Sequence, residues 1–295
     1  MAEPETLKPV ALDPGGKLQV VATTNIVGDV VRQVGGDRIE LMTLISIGVD
    51  PHSYVPTPAD TAAIHDAHVV FANGAGLEAS LGKMMENAGG DAADIILSQG
   101  IELRQLTGGQ TGEGEAGHGQ EDVDPHLWFD VKNVIHWVET IERTLSALDP
   151  ANSETYQANA VAYRQQLEEL DAWVVRQMDT LPEANRMLVT NHPAFGYLAD
   201  RYGLEQMGAV YPVSPSAEPS AQDIAALEDT IRALGVPAIF TESTVNPNLA
   251  QQVAADMGVK LVALYSESLG GPGSGAESYI ELMHYDVRAI VEALR

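Results

Sequence analysis

The architecture of this chain follows from residues 156–180, which read YQANAVAYRQQLEELDAWVVRQMDT. Buried-type side chains recur there in alternating steps of four and three residues, at Tyr156, Ala160, Tyr163, Leu167, Leu170 and Val174. This is the spacing of one helix face, and no glycine or proline interrupts it. A helix of about 25 residues is about 37 Å long. We therefore predict that residues 151–182 form one long helix that links two lobes.

Segments on either side of this helix alternate between strand-like and helix-like patterns. Short apolar runs predict strands at Leu18–Thr23, Ile39–Ile45, Val69–Ala72, Asp94–Leu97, Met187–Thr190, Ala238–Thr241 and Val259–Leu264. Strands that alternate with helices indicate parallel sheets covered on both faces. A chain of 295 residues also exceeds what one hydrophobic core usually serves. The predicted fold class is α/β, with a disordered leader at 1–17, an N-terminal lobe at 18–150 and a C-terminal lobe at 183–295.

The composition excludes several classes of protein. The formal net charge is −26 at pH 7, which disfavours binding to nucleic acid and direct binding to anionic lipid. The chain has no cysteine, so disulfides, thiolate metal sites and cysteine nucleophiles are excluded. No apolar run reaches the ~18 residues of a membrane span. Any bound metal must therefore be held by histidine, aspartate or glutamate.

Three histidines share an unusual sequence context. His52 and His126 each follow the dipeptide Asp-Pro, and His192 lies between Asn191 and Pro193. Proline restricts the backbone of the loop that presents each ring, and a neighbouring carboxylate or amide can orient the imidazole. Ligands of open α/β sheets bind just outside the carboxyl ends of the strands, where these loops are predicted. The three histidines are therefore candidate metal ligands.

A carboxylate is the fourth candidate ligand. Glu267 follows the last predicted strand, and Glu242 follows the strand Ala238–Thr241, so either side chain could complete the site. Three imidazoles and one carboxylate suit zinc and also tolerate manganese or Fe(II), whereas calcium and magnesium prefer oxygen ligands alone. We take Glu267 as the ligand and Glu242 as its rival.

Six short motifs are spread along residues 18–295. They are DPH at 50–52 running into PTP at 56–58, NG at 73–74 with Glu78, DPHLW at 124–128, TNHPAFGY at 190–197, FTE at 240–242 and SES at 266–268. Together they resemble the cluster A-I substrate-binding proteins of zinc and manganese ABC importers. The resemblance implies two Rossmann-like lobes joined by a rigid helix, with the ion in the cleft between the lobes. It implies that His52 and His126 come from the first lobe, and His192 and Glu267 from the second.

The resemblance also implies a function. The protein would capture a divalent transition metal outside the cytoplasm and deliver it to the permease of an ABC importer, without catalytic activity; we expect a monomer. The first residues, Met1-Ala2-Glu3-Pro4, lack the basic and apolar regions of a signal peptide. We therefore expect a periplasmic or extracellular protein whose export signal is not part of this sequence.

Two departures from the family pattern bear on the metal. Relatives usually carry aspartate at the position of Glu267, and the extra methylene of glutamate changes the reach of that carboxylate. Relatives tuned to manganese usually carry a carboxylate at the position of His192, so the imidazole found here favours zinc, with manganese as the alternative.

Other interpretations stay open. One is a zinc-dependent hydrolase, in which an open coordination position holds an activated water, although no His-Glu-x-x-His segment is present. Another is a metal-binding surface adhesin. The glycine-rich residues 108–120, which include His118, are interpreted either as a weak metal-collecting loop or as a solvated linker.

Overall fold

The structure of the chain is a computed structural model that describes residues 7–106, 123–190, 192–209, 221–244 and 247–295. The predicted glycine-rich loop at 108–120, residues 1–6 of the predicted leader and Asn191 lie outside the described residues. Contacts divide the chain into two compact units, which are residues 1–102 with 131–169 and residues 103–130 with 170–295. Among the described helices, none is both long and apolar enough to cross a membrane.

The first unit contains a parallel four-stranded sheet in the order β2-β1-β3-β4. Its elements are β1 (Leu18–Ala22), α1 (Asn25–Gly35), β2 (Ile39–Thr43), α2 (Pro58–Asp66), β3 (Val69–Ala72), α3 (Ala79–Asn87), β4 (Ala93–Ile96) and α4 (Val131–Leu148). Every residue of β3 is buried, which is typical of a parallel strand covered on both faces. Successive strands are added on opposite sides of β1, so the strand order reverses between β1 and β3, and the carboxyl ends of these two strands form a crevice.

Capping interactions between Thr57 and Asp60 determine where helix α2 begins. The hydroxyl of Thr57 accepts a hydrogen bond from the Asp60 backbone, and the Asp60 carboxylate accepts one from the Thr57 backbone. Pro58 occupies the first turn, where its missing N–H costs nothing. Asp60 is buried and also accepts a 2.8 Å hydrogen bond from the Tyr54 hydroxyl. These contacts fix the chain that leads from His52 into the helix.

The predicted long helix is present as α5, which spans Ser153–Met178 and has 26 residues. The predicted face is the buried one, since Tyr156, Tyr163, Leu167 and Val174 are each at most 3% exposed. Residues 153–169 of this helix belong to the first unit and residues 170–178 to the second. The spacing of apolar side chains over residues 156–174 was therefore sufficient to predict both the helix and its core-facing side.

The second unit contains another parallel four-stranded sheet, in the order β6-β5-β7-β8. Its elements after α5 are β5 (Met187–Thr190), α6 (Gly196–Tyr202), β6 (Glu205–Ala209), α7 (Ala221–Leu234), β7 (Ala238–Glu242), α8 (Asn248–Met257), β8 (Lys260–Leu264) and α9 (Tyr279–Leu294). The strand order is the same as in the first unit, and it reverses between β5 and β7. The prediction of an α/β fold with two parallel sheets is confirmed.

Residues 103–130 belong to the second unit, whereas the predicted boundaries place them in the lobe 18–150. Three contacts account for this grouping. The indole N–H of Trp128 donates a 3.0 Å hydrogen bond to the carbonyl oxygen of Ser266, and the Tyr279 hydroxyl donates a 2.7 Å bond to the carbonyl oxygen of Trp128. The rings of Phe129 and Phe195 lie 4.5 Å apart. His126 is therefore part of the second unit, although the resemblance implied that it comes from the first lobe.

Candidate metal centre

His126 is held by the aspartate two residues before it. Its backbone N–H donates a 3.1 Å hydrogen bond to Oδ1 of Asp124, and its ring Nδ1 lies 2.6 Å from the same oxygen. Both residues are almost completely buried. A short 3-10 helix, Leu127–Phe129, begins directly after His126 and buries its three apolar side chains. This local structure fixes the ring so that Nε2 is directed away from Asp124.

His192 lies at the carboxyl end of β5, beside the carboxyl end of β7. Its backbone N–H donates a 3.1 Å hydrogen bond to the Glu242 carboxylate, and its ring Nδ1 lies 3.2 Å from the other oxygen of that group. The Thr190 hydroxyl donates a 2.8 Å bond to the carbonyl oxygen of His192. His192 is 1% exposed. It therefore occupies the crevice where the strand order of the second sheet reverses, which is the usual ligand position of such sheets.

Glu267 is carried by the turn that follows β8, and buried groups hold this turn from several sides. The Tyr265 N–H donates a 2.9 Å hydrogen bond to Oδ1 of Asp286. The Ser266 hydroxyl donates to the Glu242 carboxylate, and the Ser266 carbonyl accepts from Trp128. These hydrogen bonds fix the backbone of the turn. Because Glu267 is only 1% exposed, its carboxylate is shielded from solvent.

His126, His192 and Glu267 come together in the second unit. One potential ligand atom from each lies within 4.8 Å of the others, and the two imidazole rings are 4.8 Å apart between centroids. Nε2 of His126 is 2.8 Å from Oε1 of Glu267. Imidazole nitrogens and carboxylate oxygens are the kinds of donor that transition metals take in proteins, so these three groups are candidate ligands.

The electrostatics of this cluster are dominated by carboxylates. Burial alone would lower the pKa of His126, but the charges of Glu267 and Asp124 and their hydrogen bonds raise that pKa to about 10. Burial also raises the pKa of Asp286 well above its ordinary value, and the charge of Glu242 adds to the rise. The cluster therefore attracts positive charge strongly.

Glu242 occupies a different place from Glu267. Its two oxygens contact the backbone and ring of His192 and the hydroxyl of Ser266. It thus links the β5 loop to the turn that carries Glu267. A carboxylate in this position orients an imidazole and fixes which ring nitrogen carries the proton.

His52 lies in the first unit, within the short 3-10 helix Pro51–Ser53. It is half-buried. Its backbone N–H donates a 2.8 Å hydrogen bond to Oδ1 of Asp50, just as the N–H of His126 donates to Asp124. The two Asp-Pro-His segments therefore use the same local hydrogen bond to fix the histidine backbone.

The remaining described histidines make other contacts. Nδ1 of His68 accepts a 2.8 Å hydrogen bond from the backbone of Gln19, and His136 Nε2 lies 2.9 Å from the carbonyl oxygen of Gln99. His65 lies beside the carbonyl oxygen of Ala88, and the ring of His284 packs edge-on against Trp173. None of these four belongs to the cluster of candidate ligands among the described residues.

Two charged residues near the cluster were not predicted from the sequence. Asp286 lies on the buried face of α9 among Leu282, Met283 and Ile290. An acid at a core-facing helical position is a recognisable signal of a buried hydrogen-bonding role. Arg104 contacts Asp124, but no spacing rule connects the two residues, because the pairing depends on tertiary structure.

Comparisons with known proteins identify the family of the chain. The family model described as zinc-uptake complex component A, periplasmic (ZnuA), matches residues 20–293. The manganese-binding lipoprotein MntA of Halalkalibacterium halodurans is 35% identical over 96% of this chain and 90% of its own length. The manganese ABC transporter substrate-binding lipoprotein PsaA of Streptococcus mitis is 31% identical over 95% of this chain and 90% of its own length.

A solved structure matches the whole fold. The periplasmic zinc-binding protein TroA of Treponema pallidum aligns with a TM-score of 0.84 and 30% identity, covering 95% of this chain and 99% of that one. The family model, the two lipoproteins and TroA thus extend over nearly all of the sequence that carries the motifs and the cluster. The chain therefore belongs to the ZnuA family of periplasmic zinc-uptake components.

Proposed function

We propose that this chain is the extracytoplasmic substrate-binding protein of an ABC importer, and that its substrate is a divalent transition metal. The observation that carries the proposal is the buried cluster of His126, His192 and Glu267 at the carboxyl ends of the second sheet. Membership of a metal-uptake family supports it, and so do relatives named as metal-binding ABC transporter lipoproteins.

The proposed ligands are His52, His126, His192 and Glu267. His52 is assigned as the fourth ligand because it repeats the Asp-Pro-His context and the backbone hydrogen bond of His126. Glu267 is preferred to Glu242 because its carboxylate faces Nε2 of His126, while the Glu242 oxygens are engaged by His192 and Ser266. In this assignment Asp124 and Glu242 orient the rings of His126 and His192.

The proposed metal is zinc, with manganese as the alternative. Relatives of this chain are named for manganese, and TroA is named for zinc, so the family alone does not choose between them. The proposed donor set supports zinc, because three imidazole nitrogens and one carboxylate oxygen are ligands that four-coordinate zinc accepts, and zinc binds nitrogen ligands more tightly than manganese does.

The proposed role is binding and delivery, not catalysis. The metal-loaded protein would pass its ion to a membrane permease and act as a monomer, without binding nucleic acid or lipid directly. Purified zinc-loaded protein is expected to show no turnover of ester, amide or phosphate substrates. Turnover that disappears with a chelator would instead support the zinc hydrolase.

The decisive experiment measures metal stoichiometry and affinity in the purified full chain. Elemental analysis followed by zinc and manganese titration of metal-free protein is expected to give one ion per chain, with zinc bound more tightly. His52→Gln, His126→Gln and His192→Gln should each weaken zinc binding strongly. His136→Gln should not, because the His136 ring contacts the carbonyl oxygen of Gln99 and is not a candidate ligand. Binding that is unchanged in all three ligand variants would contradict the proposed site.

A further inference from the structure

We propose that Arg104 is a positioning residue of the metal centre, which acts on His126 through Asp124. The inference rests on the proposed function, because it takes His126 as a metal ligand. Arg104 does not contact the cluster of candidate ligands itself; its side chain contacts the far side of the aspartate that holds the His126 ring.

The side chain of Arg104 connects a buried carboxylate to an exposed one. Its Nη1 lies 3.2 Å from Oδ2 of Asp124, whose side chain is 0% exposed. Its Nε donates a 2.9 Å hydrogen bond to Oδ2 of Asp200, whose side chain is 65% exposed. The guanidinium is a rigid planar fork, so its contact with the buried carboxylate orients the whole group. The contact with exposed Asp200 contributes little, so buried Asp124 is the partner that matters for the position of the group.

Asp124 divides its two oxygens between Arg104 and His126. Oδ1 receives the backbone N–H of His126 and contacts its Nδ1 at 2.6 Å, while Oδ2 contacts Arg104. A carboxylate held at both oxygens cannot rotate about its last bond. Arg104 therefore fixes the plane of the carboxylate, and the carboxylate fixes the plane of the His126 ring.

Backbone hydrogen bonds also hold Arg104 and Asp124 in place. The N–H of Arg104 donates a 2.9 Å hydrogen bond to the Tyr197 hydroxyl, and the carbonyl oxygen of Arg104 accepts a 2.9 Å bond from the N–H of Asp124. Arg104 is thus placed by backbone contacts as well as by its side chain. Its position does not depend on the two carboxylates alone.

Gly196 independently supports the positioning role of Arg104, because the missing side chain leaves the space that Arg104 and Asp124 occupy. A Cβ at this position would lie 2.5 Å from the guanidinium carbon of Arg104, and 2.5 Å from Oδ2 of Asp124. Gly196 is the first residue of α6, and its φ is not in the left-handed region, so the backbone itself does not require glycine. The absence of a side chain is explained by the close approach of Arg104 and Asp124.

The test compares zinc affinity in three variants of the full chain, measured by competition with a chelator. Arg104→Gln and Gly196→Ala should each weaken zinc binding about tenfold, the lower end of the range for groups that orient metal ligands. Asp200→Asn should change it by no more than about twofold, because an ion pair with an exposed carboxylate contributes little. Gly196→Ala keeps every charge, so its effect would come from displacing the pair.

A spectroscopic readout separates positioning from a general loss of structure. The ring Nδ1–H of His126 is expected to give a proton NMR signal far downfield, because it makes a short hydrogen bond to a carboxylate. The signal is identified by its loss in His126→Gln. It should move in Arg104→Gln and Gly196→Ala and stay in place in Asp200→Asn, with Arg104→Lys intermediate.

Unchanged affinity and an unchanged signal in both Arg104→Gln and Gly196→Ala would overturn the positioning role, provided that His126→Gln still loses zinc. If His126→Gln itself binds zinc like the wild type, the proposed ligand set fails, and the inference about Arg104 fails with it. The two failures are distinguished by this one variant. Should Arg104→Gln not fold, Gly196→Ala answers the same question.

Discussion

The indole N–H of Trp128 donates a 3.0 Å hydrogen bond to the carbonyl oxygen of Ser266. This bond joins the segment that carries His126 to the turn that carries Glu267. Trp128 lies two residues after His126, and Ser266 lies immediately before Glu267. Both partners are buried, with Trp128 at 2% exposure and Ser266 at 0%. The spacing between His126 and Glu267 is therefore set by this contact as well as by the two side chains.

Trp128→Phe is expected to lower the free energy of unfolding by about 1–3 kcal/mol, because it leaves the buried Ser266 carbonyl without its donor. It should also weaken zinc binding, since the turn of Glu267 loses one of its attachments. Urea unfolding of the metal-free protein and chelator competition measure the two effects. Trp137→Phe is the matched control, because Trp137 is equally buried but lies on α4 in the first unit. Equal zinc affinity in both variants would argue against the role of Trp128.

Replacing His192 by glutamate should shift the metal preference toward manganese. The change exchanges an imidazole nitrogen for a carboxylate oxygen, and oxygen-rich sites lose much of the advantage that zinc has at nitrogen-rich ones. Parallel zinc and manganese titrations of the wild type and of His192→Glu give the ratio of the two affinities. A ratio that stays constant would show that His192 does not select the metal.

Glu267→Gln is expected to weaken zinc binding by at least about ten times more than Glu242→Gln does. Loss of a ligand removes a metal bond, whereas loss of a group that orients a ligand costs about 10–100-fold. Glu267→Asp tests the reach of the side chain. Because buried contacts to Tyr265 and Ser266 fix the turn, the shorter carboxylate should bind zinc more weakly than glutamate does. The reverse order for the two glutamine variants would make Glu242 the ligand.

Glu78 should make the first unit less stable as the pH rises. Burial raises the pKa of its carboxyl, although hydrogen bonds from Thr23, Asn73 and Gly74 oppose the rise. A group whose folded pKa exceeds its unfolded value of about 4.3 binds more protons in the folded state. Its contribution to stability is therefore complete below pH ~4.3 and is lost as the pH rises through the folded pKa, at no more than about 1.4 kcal/mol per pH unit.

The measurement is the difference in unfolding free energy between wild type and Glu78→Gln at several pH values above 4.5. The variant should be less stable at low pH, since glutamine cannot accept all three hydrogen bonds, and the difference should shrink as the pH rises. Glu40→Gln, at an exposed position of β2, controls for the loss of one negative charge. A difference that is independent of pH would mean that Glu78 keeps an ordinary pKa.

The family, the α/β fold and the long helix were all predictable from the sequence, because each depends on a local pattern. The face of α5 follows from the spacing of Tyr156 to Val174, and the motifs around the histidines are short and contiguous. The family model and the TroA structure confirm the family and the fold.

Other features were not predictable, for physical reasons. Strand β6 (Glu205–Ala209) is an edge strand with two polar residues and a glycine, so it has no apolar run to mark it. The grouping of residues 103–130 with the second unit depends on partners such as Ser266 and Tyr279, which are distant in the sequence. Of the proposed ligands, His126, His192 and Glu267 form one cluster within the second unit, while the assignment of His52 stays a prediction.

Each unit has a buried glutamate after or at the end of the strand that lies third in its sheet. Glu78 lies between β3 and α3, and Glu242 is the last residue of β7. In the first sheet Glu78 accepts hydrogen bonds from Thr23 and from the backbone of Asn73 and Gly74. In the second sheet Glu242 accepts from the backbone of His192 and from the hydroxyl of Ser266. The bonds to Glu78 come from a hydroxyl and two backbone N–H groups, whereas Glu242 also contacts an imidazole ring. Within one molecule, Glu78 is therefore a reference for the cost of burying an acid that orients no imidazole.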